Sequence, residues 1–275
     1  MTGPRDTAAV VAGRGSLPSV RLALTTFTVA PVRSEPPTPT TAGRSMLLAP
    51  AIGVLLGTVA AAVLLVARLA TSPGATTPLL PAVLAVVVLA LLTRGLHLDG
   101  LADTADGLGS MLPAERAREV MRQPDIGPFG VTALLLVLLV QVAALTSATV
   151  QDRGPAAVLL AVVAGRLAVT LACTPATPAA SPDGLGAVVA GTVRGSAAFA
   201  ATSLVLVAAA MLGGLDDAGA AGWSALRCVA AVLAGLVVAH LLRAHAVRRV
   251  GGITGDVLGA IVEVTTAVVL VVMAV

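Results

Sequence analysis

Residues 79–110 read LLPAVLAVVVLALLTRGLHLDGLADTADGLGS. The stretch 79–93 carries no charged side chain and reads as a candidate membrane-spanning helix. The run ends at Arg94, and three aspartates, Asp99, Asp103 and Asp106, follow within eight residues. Such an edge between apolar and acidic sequence decides the fold class once the rest of the chain is set beside it.

Of the 275 residues, 57% are hydrophobic and 11% charged, and the mean hydropathy is +0.99. A soluble domain carries about 25% charged residues, so this composition describes an integral membrane protein. At roughly 20 residues per span the chain has room for about seven. Candidate spans fall at 46–70, 79–93, 131–150, 156–173, 197–214, 225–243 and 257–275. The expected fold is therefore all-α, a polytopic membrane protein of about seven transmembrane helices (six to eight). The segment 19–32 is too short to cross and is expected to lie in the interface or to re-enter it. Residues 1–18 lack the apolar stretch of a secretory signal and are expected to form a disordered extension, with 19–275 a single membrane-embedded domain.

All 17 basic residues are arginine. They are neither clustered nor interleaved with aromatic platforms, which excludes a nucleic-acid partner. Their distribution gives an orientation instead, because cytoplasmic loops are enriched in positive charge. With the N-terminus inside, thirteen arginines fall on inner segments and three, Arg68, Arg153 and Arg227, on or near outer ones. The same assignment puts 94–130, 174–196 and 244–256 on one side, where a site facing the cytosol would be built. Cys173 and Cys228 lie inside apolar runs and read as small core residues.

If 99–110 is helical, a step of about 100° puts Asp99, Asp103 and Asp106 at about 0°, 40° and −20°, on one stripe. Like charges at this spacing repel, so a partner cation is expected, and Mg²⁺ binds through one or two carboxylates plus substrate phosphates. The competing reading is a solvated turn with Gly100, Gly107 and Gly109 as its hinges. His97, about 160° away, is either a substrate contact or a packed histidine. In LPAERAREVMRQPDIGPFG, residues 112–130, Glu115 with Arg118 and Glu119 with Arg122 are expected as ion pairs on a short helix. Arg122 and Asp125 stand where the chain breaks, within reach of a phosphate and of a metal or hydroxyl.

Residues 248–264, RRVGGITGDVLGAIVEV, set Gly251, Gly252, Thr254 and Gly255 before a helix that starts near Asp256. Glycine amides and a helix N-terminus suit an anion, and a plain tight turn fits equally well. Glu263 and Arg166 fall inside spans, where a charge faces the protein interior and serves a site or an ion pair. The Pro- and Gly-rich 174–196 is either a cover over a ligand or a connection.

The runs GLHLDGLADTADGLGS (95–110) and REVMRQPDIGPFGV (118–131), with GGITGDVLGAIVE (251–263), closely resemble the signature regions of the cobalamin synthase family, the adenosylcobinamide-GDP ribazoletransferases. The resemblance runs from about residue 19 to the end. It implies a multi-pass enzyme of the bacterial plasma membrane that transfers the adenosylcobinamide phosphoryl group from adenosylcobinamide-GDP to α-ribazole or its 5′-phosphate. GMP is released and Mg²⁺ is required. It places the metal and catalytic carboxylates at Asp99, Asp103 and Asp106, with Asp256 beside them. The family's glycine turn falls on Gly251, Gly252, Thr254 and Gly255, and the chemistry of a pyrophosphate displacement adds Arg94, Arg122 and Arg166 to steady phosphates, with His97, Asp125 and Glu263 completing the expected substrate-binding set. The chain departs from the family pattern at Pro124, Asp125 and Ser181, where family members commonly carry serine or basic residues. Three other readings compete, one of them a non-catalytic membrane subunit, which would leave the aspartate stripe unexplained. CDP-alcohol phosphotransferases share an Asp-Gly start but continue with Ala-Arg, where this chain has Asp103-Thr104. A cation transporter would place acidic residues deep in several spans.

Overall fold

A computed structural model describes residues 17–32, 36–71, 78–215 and 221–275. They form α1 (Leu17–Phe27), α2 (Pro39–Leu47), α3 (Ala49–Ala70), α4 (Leu79–Leu92), α5 (Leu96–Gly109) and α6 (Ala114–Met121). There follow α7 (Pro128–Val150), α8 (Gly154–Ala172), α9 (Gly184–Val189), α10 (Gly195–Gly214), α11 (Ala221–Val250) and α12 (Gly255–Ala274). The protein is all-α and polytopic. Six helical stretches are long and apolar enough to cross a membrane: α2 with α3, then α7, α8, α10, α11 and α12. A seventh is counted if α4 and α5 are taken as one broken span.

That break is the feature the opening stretch encodes. α4 has 14 residues, about 21 Å of helix against a hydrocarbon core of about 30 Å. Arg94 and Gly95 then both adopt left-handed backbone, φ +54° and +67°, and α5 leaves at 88° to α4. Glycine takes this conformation freely, whereas Arg94 gives up about 1–2 kcal/mol locally. α5 therefore lies off the spanning direction. The solvated-turn reading of its aspartates gives way to a regular helix.

α8 is the central post, buried along nearly its whole length from Ala157 to Ala172. Small residues let its neighbours approach closely, as membrane helices require in the absence of a strong hydrophobic drive between them. Gly53 and Gly57 of α3 meet the α8 backbone at Val163 and Leu159, and Gly165 of α8 meets Val262 and Thr266 of α12. α1, with 11 residues, does not cross; it buries Ala23 and Phe27 beside α2. Residues 1–16, most of the extension expected to be disordered, lie outside the described residues, while Leu17 and Pro18 already belong to α1.

Each end of the bundle is tied by its own polar contacts. At one end Arg68 pairs with Asp152 at 2.8 Å, and Gln151 donates to the Ala274 carbonyl at 2.7 Å. At the other, Arg118 donates to the Val250 carbonyl at 2.8 Å and Arg122 to the Ser181 hydroxyl at 2.9 Å. The segments 94–130, 174–196 and 244–256 gather at this second end. Among the described residues its loops and helix ends carry ten arginines, the opposite end three. The ion pairs expected along α6 are re-partnered: Glu119 binds Arg116 at 2.6 Å, while Arg118 and Arg122 make the contacts just named.

Candidate active site

The two motifs, at 95–110 and 251–263 in the sequence, meet where α5 crosses the start of α12. A Cβ on Gly100 would stand 2.7 Å from the Asp256 carbonyl oxygen and 2.8 Å from its Cα. A Cβ on Gly259 would stand 3.1 Å from the His97 Cα and 3.3 Å from Gly100. The crossing is backbone on backbone, and only glycine allows it. It sets Asp256 against the face of α5 that carries Asp99 and Asp103.

Burial, and after it the carboxylates of Asp99, Asp256 and Asp106, push the Asp103 carboxyl up to about 6. Such a raised value at a cleft is a common mark of a functional group. Asp106 departs from the expected stripe. It is buried and accepts the Gly127 amide at 2.8 Å and the Gly130 amide at 2.9 Å. These donors belong to the first turn of α7, where amides are unpaired and the helix dipole favours an anion. Asp106 thus ties α5 to α7. Among the described residues no three His, Cys, Asp or Glu side chains gather as a metal-holding group, and both Asp106 carboxylate oxygens are taken up by the α7 amides. Asp99 and Asp103 remain as hard oxygen donors, a set suited to Mg²⁺ completed by phosphate and water.

Two spaces flank α5 and share Asp99 as a wall. On one side is a cleft of about 560 Å³ bounded by Arg94, Asp99, Asp103 and Arg122. On the other is an apolar cavity of about 160 Å³ that reaches Asp99 and Asp256. Asp125 is exposed in the turn before α7 and lines neither space.

The glycine turn works mainly as a clasp. Gly251 has φ +91°, and Gly252 lies against the backbone of Pro178–Ala180 with no room for a side chain. Ile253 donates to the Pro178 carbonyl at 2.9 Å and accepts from Ala180 at 3.1 Å. Thr254 caps α12 by accepting from the Val257 amide at 3.1 Å and donates to the Asp256 carboxylate at 3.1 Å. Gly255 is the first residue of α12. The turn thereby fixes both the backbone and the side chain of Asp256, and it draws 178–189 over the site.

Arg166 is buried behind the site. Its Nη2 lies 3.5 Å from His97 Nδ1, and its Nε has no hydrogen-bond partner among the described residues. Glu263 lines the same small void of about 20 Å³ but takes its hydrogen bond from Gln141 Nε2 at 2.8 Å. Gln141, 3% exposed, was not singled out by sequence reasoning, although one amide amid LLLVLLVQVAAL is the available signal. The apolar walls of the other cavity, Phe27, Met46, Val169, Leu185 and Val262, were missed as well, because they sit on five separate helices.

A family model described as cobalamin-5-phosphate synthase matches residues 19–274. Relatives are the adenosylcobinamide-GDP ribazoletransferases of Frankia casuarinae, 49% identical over 92% of this chain and 93% of the relative, and of a Nocardioides species, 42% identical over 90% and 94%. That of Stutzerimonas stutzeri is 39% identical over 91% and 95%. No solved structure gives a significant match. Matched from the first helix to the last, the chain belongs to the cobalamin-5-phosphate synthase family.

Proposed function

We propose that the protein is an adenosylcobinamide-GDP ribazoletransferase that works with Mg²⁺ at the cytoplasmic face of a bacterial plasma membrane. The observation that carries the site assignment is the α5–α12 crossing, which sets Asp99, Asp103 and Asp256 together between an arginine-flanked cleft and an apolar cavity. The orientation follows from the arginine excess at the site end.

In this reading the pyrophosphate of adenosylcobinamide-GDP lies in the cleft, steadied by Arg94 and Arg122. Asp99 and Asp103 hold Mg²⁺, which when bound neutralises pyrophosphate charge and orients the leaving group. A ribose hydroxyl of α-ribazole or its 5′-phosphate attacks the phosphorus that bears the adenosylcobinamide. The new O–P bond forms as the bridging P–O bond of the pyrophosphate breaks, its electron pair leaves with GMP, and the hydroxyl proton is lost. Asp256, on the cavity side and oriented by Thr254, is placed to accept that proton. The layout favours an enzyme over a transporter, since its carboxylates line a surface cleft at one end of the bundle.

The test is GMP release by purified protein in lipid, supplied with adenosylcobinamide-GDP, α-ribazole 5′-phosphate and Mg²⁺. Release that stops with a chelator and resumes with Mg²⁺ is expected. Folded protein that releases no GMP with either form of the acceptor would overturn the proposal.

A further inference from the structure

Resting on the function proposed above, we propose that the apolar cavity seats the aromatic base of the acceptor, with Phe27 as its stacking surface and His97 Nε2–H as the donor to the base's free ring nitrogen. The chain is nearly devoid of aromatic residues, at 1%. Of its three phenylalanines only Phe27 is buried, at 3% exposed, whereas Phe129 and Phe199 are 53% and 75% exposed. Of its three histidines only His97 is buried. Both line this one cavity, with ring centroids 6.3 Å apart. A protein that has almost no rings has placed two of them together beside its carboxylates.

The remaining walls are aliphatic, among them Met46, Val169, Leu185 and Val262. An apolar cavity of about 150 Å³ takes up a benzene ring, so about 160 Å³ seats the benzo end of a bicycle while its imidazole ring faces the carboxylates. The base of ribazole is a dimethylated benzimidazole, flat and apolar, with a single unsubstituted ring nitrogen that accepts a hydrogen bond.

The histidine is prepared as a donor. A guanidinium offers only N–H groups, so the contact from Arg166 requires His97 Nδ1 to accept. The ring proton then sits on Nε2, which makes no hydrogen bond to the protein among the described residues. This gives buried Arg166 a role: it fixes the tautomer of His97. The arrangement also explains why Asp256 opens onto the cavity. A base seated there brings its own ribose, and so the attacking hydroxyl, to that carboxylate, while the donor nucleotide occupies the cleft across Asp99.

The experiment compares steady-state GMP release for α-ribazole and for its indole analogue, in which a C–H replaces the free ring nitrogen, with adenosylcobinamide-GDP as donor. It uses the unmodified protein, Phe27→Leu and His97→Leu, each in lipid. The unmodified protein should prefer α-ribazole by at least about tenfold in kcat/KM. His97→Leu should erase that preference, and Phe27→Leu should raise the acceptor KM about tenfold while leaving the donor KM unchanged. Equal use of the two acceptors by the unmodified protein, or a Phe27→Leu effect confined to the donor KM, overturns the base site and leaves the transferase reading standing. No GMP release by the unmodified protein removes both.

Discussion

Gly100→Ala is the substitution that best separates folding from function in this protein. Ordinary Cβ contacts begin near 3.4 Å, and the new atom would stand 2.7 Å from the Asp256 carbonyl oxygen, so the two backbones must part by 3.4 − 2.7 = 0.7 Å. Overpacking of this kind costs about 1–3 kcal/mol, and alanine in place of glycine within a helix returns about 1 kcal/mol. The net loss of stability is thus about 0–2 kcal/mol, a small shift in melting temperature. The displacement, however, falls on the helix start that carries Asp256, and a misplacement of about 1 Å in an active site costs about a hundredfold in rate. We expect kcat/KM for GMP release to drop about 30- to 100-fold with the fold retained. Gly214→Ala is the control, because a Cβ there meets nothing within 4 Å, and it should keep its activity. Gly100→Ala with full activity, or with activity lost only in proportion to unfolding, would refute the reasoning.

Further outcomes follow from single side chains. Asp106→Ala removes the acceptor of two α7 amides and should destabilise the protein by about 1–3 kcal/mol, seen as a lowered melting temperature even without metal. Gln141→Leu strands Glu263 inside the bundle and should be destabilising by a similar amount, about 1–3 kcal/mol. Asp103 is held at about 6, above its ordinary 3.8, so the folded, chelator-treated protein binds this proton more tightly than the unfolded chain. Its stability should therefore fall as pH rises from about 4 through about 6. Asp103→Asn should flatten that part of a melting-temperature profile against pH; an unchanged slope would mean that the Asp103 carboxyl is not held above its ordinary range.

What sequence could reveal depended on whether the signal was local. Helical spacing over 99–110 put Asp99 and Asp103 on one face, against a turn as the alternative, and the structure has that helix at Leu96–Gly109; Arg166 and Glu263 announced themselves as charges within apolar runs. Asp106 fits the same spacing, yet it turns to the α7 amides because Gly127-Pro128 starts that helix within its reach. That preference is tertiary and invisible to periodicity. The α6 ion pairs went astray for a similar reason: the Val250 carbonyl and the Ser181 hydroxyl are better placed for Arg118 and Arg122 than the helix's own glutamates. The 14-residue apolar run at 79–92 was legible as a helix, but its 88° break rests on the backbone of Arg94 and Gly95. The apolar cavity had no sequence signature, since Phe27, Met46, Val169, Leu185 and Val262 lie on separate elements.

The union of the two motifs into one catalytic centre is tested most directly by a double-mutant cycle. Asp103→Asn, Asp256→Asn and the pair would be compared by Mg²⁺-dependent GMP release from protein shown to be folded in lipid. Residues that act as a unit are strongly non-additive, so each single substitution should lower kcat by about a hundredfold or more and the pair scarcely further. A folded single variant that turns over at the unmodified rate, or losses that simply multiply in the pair, would contradict the shared site.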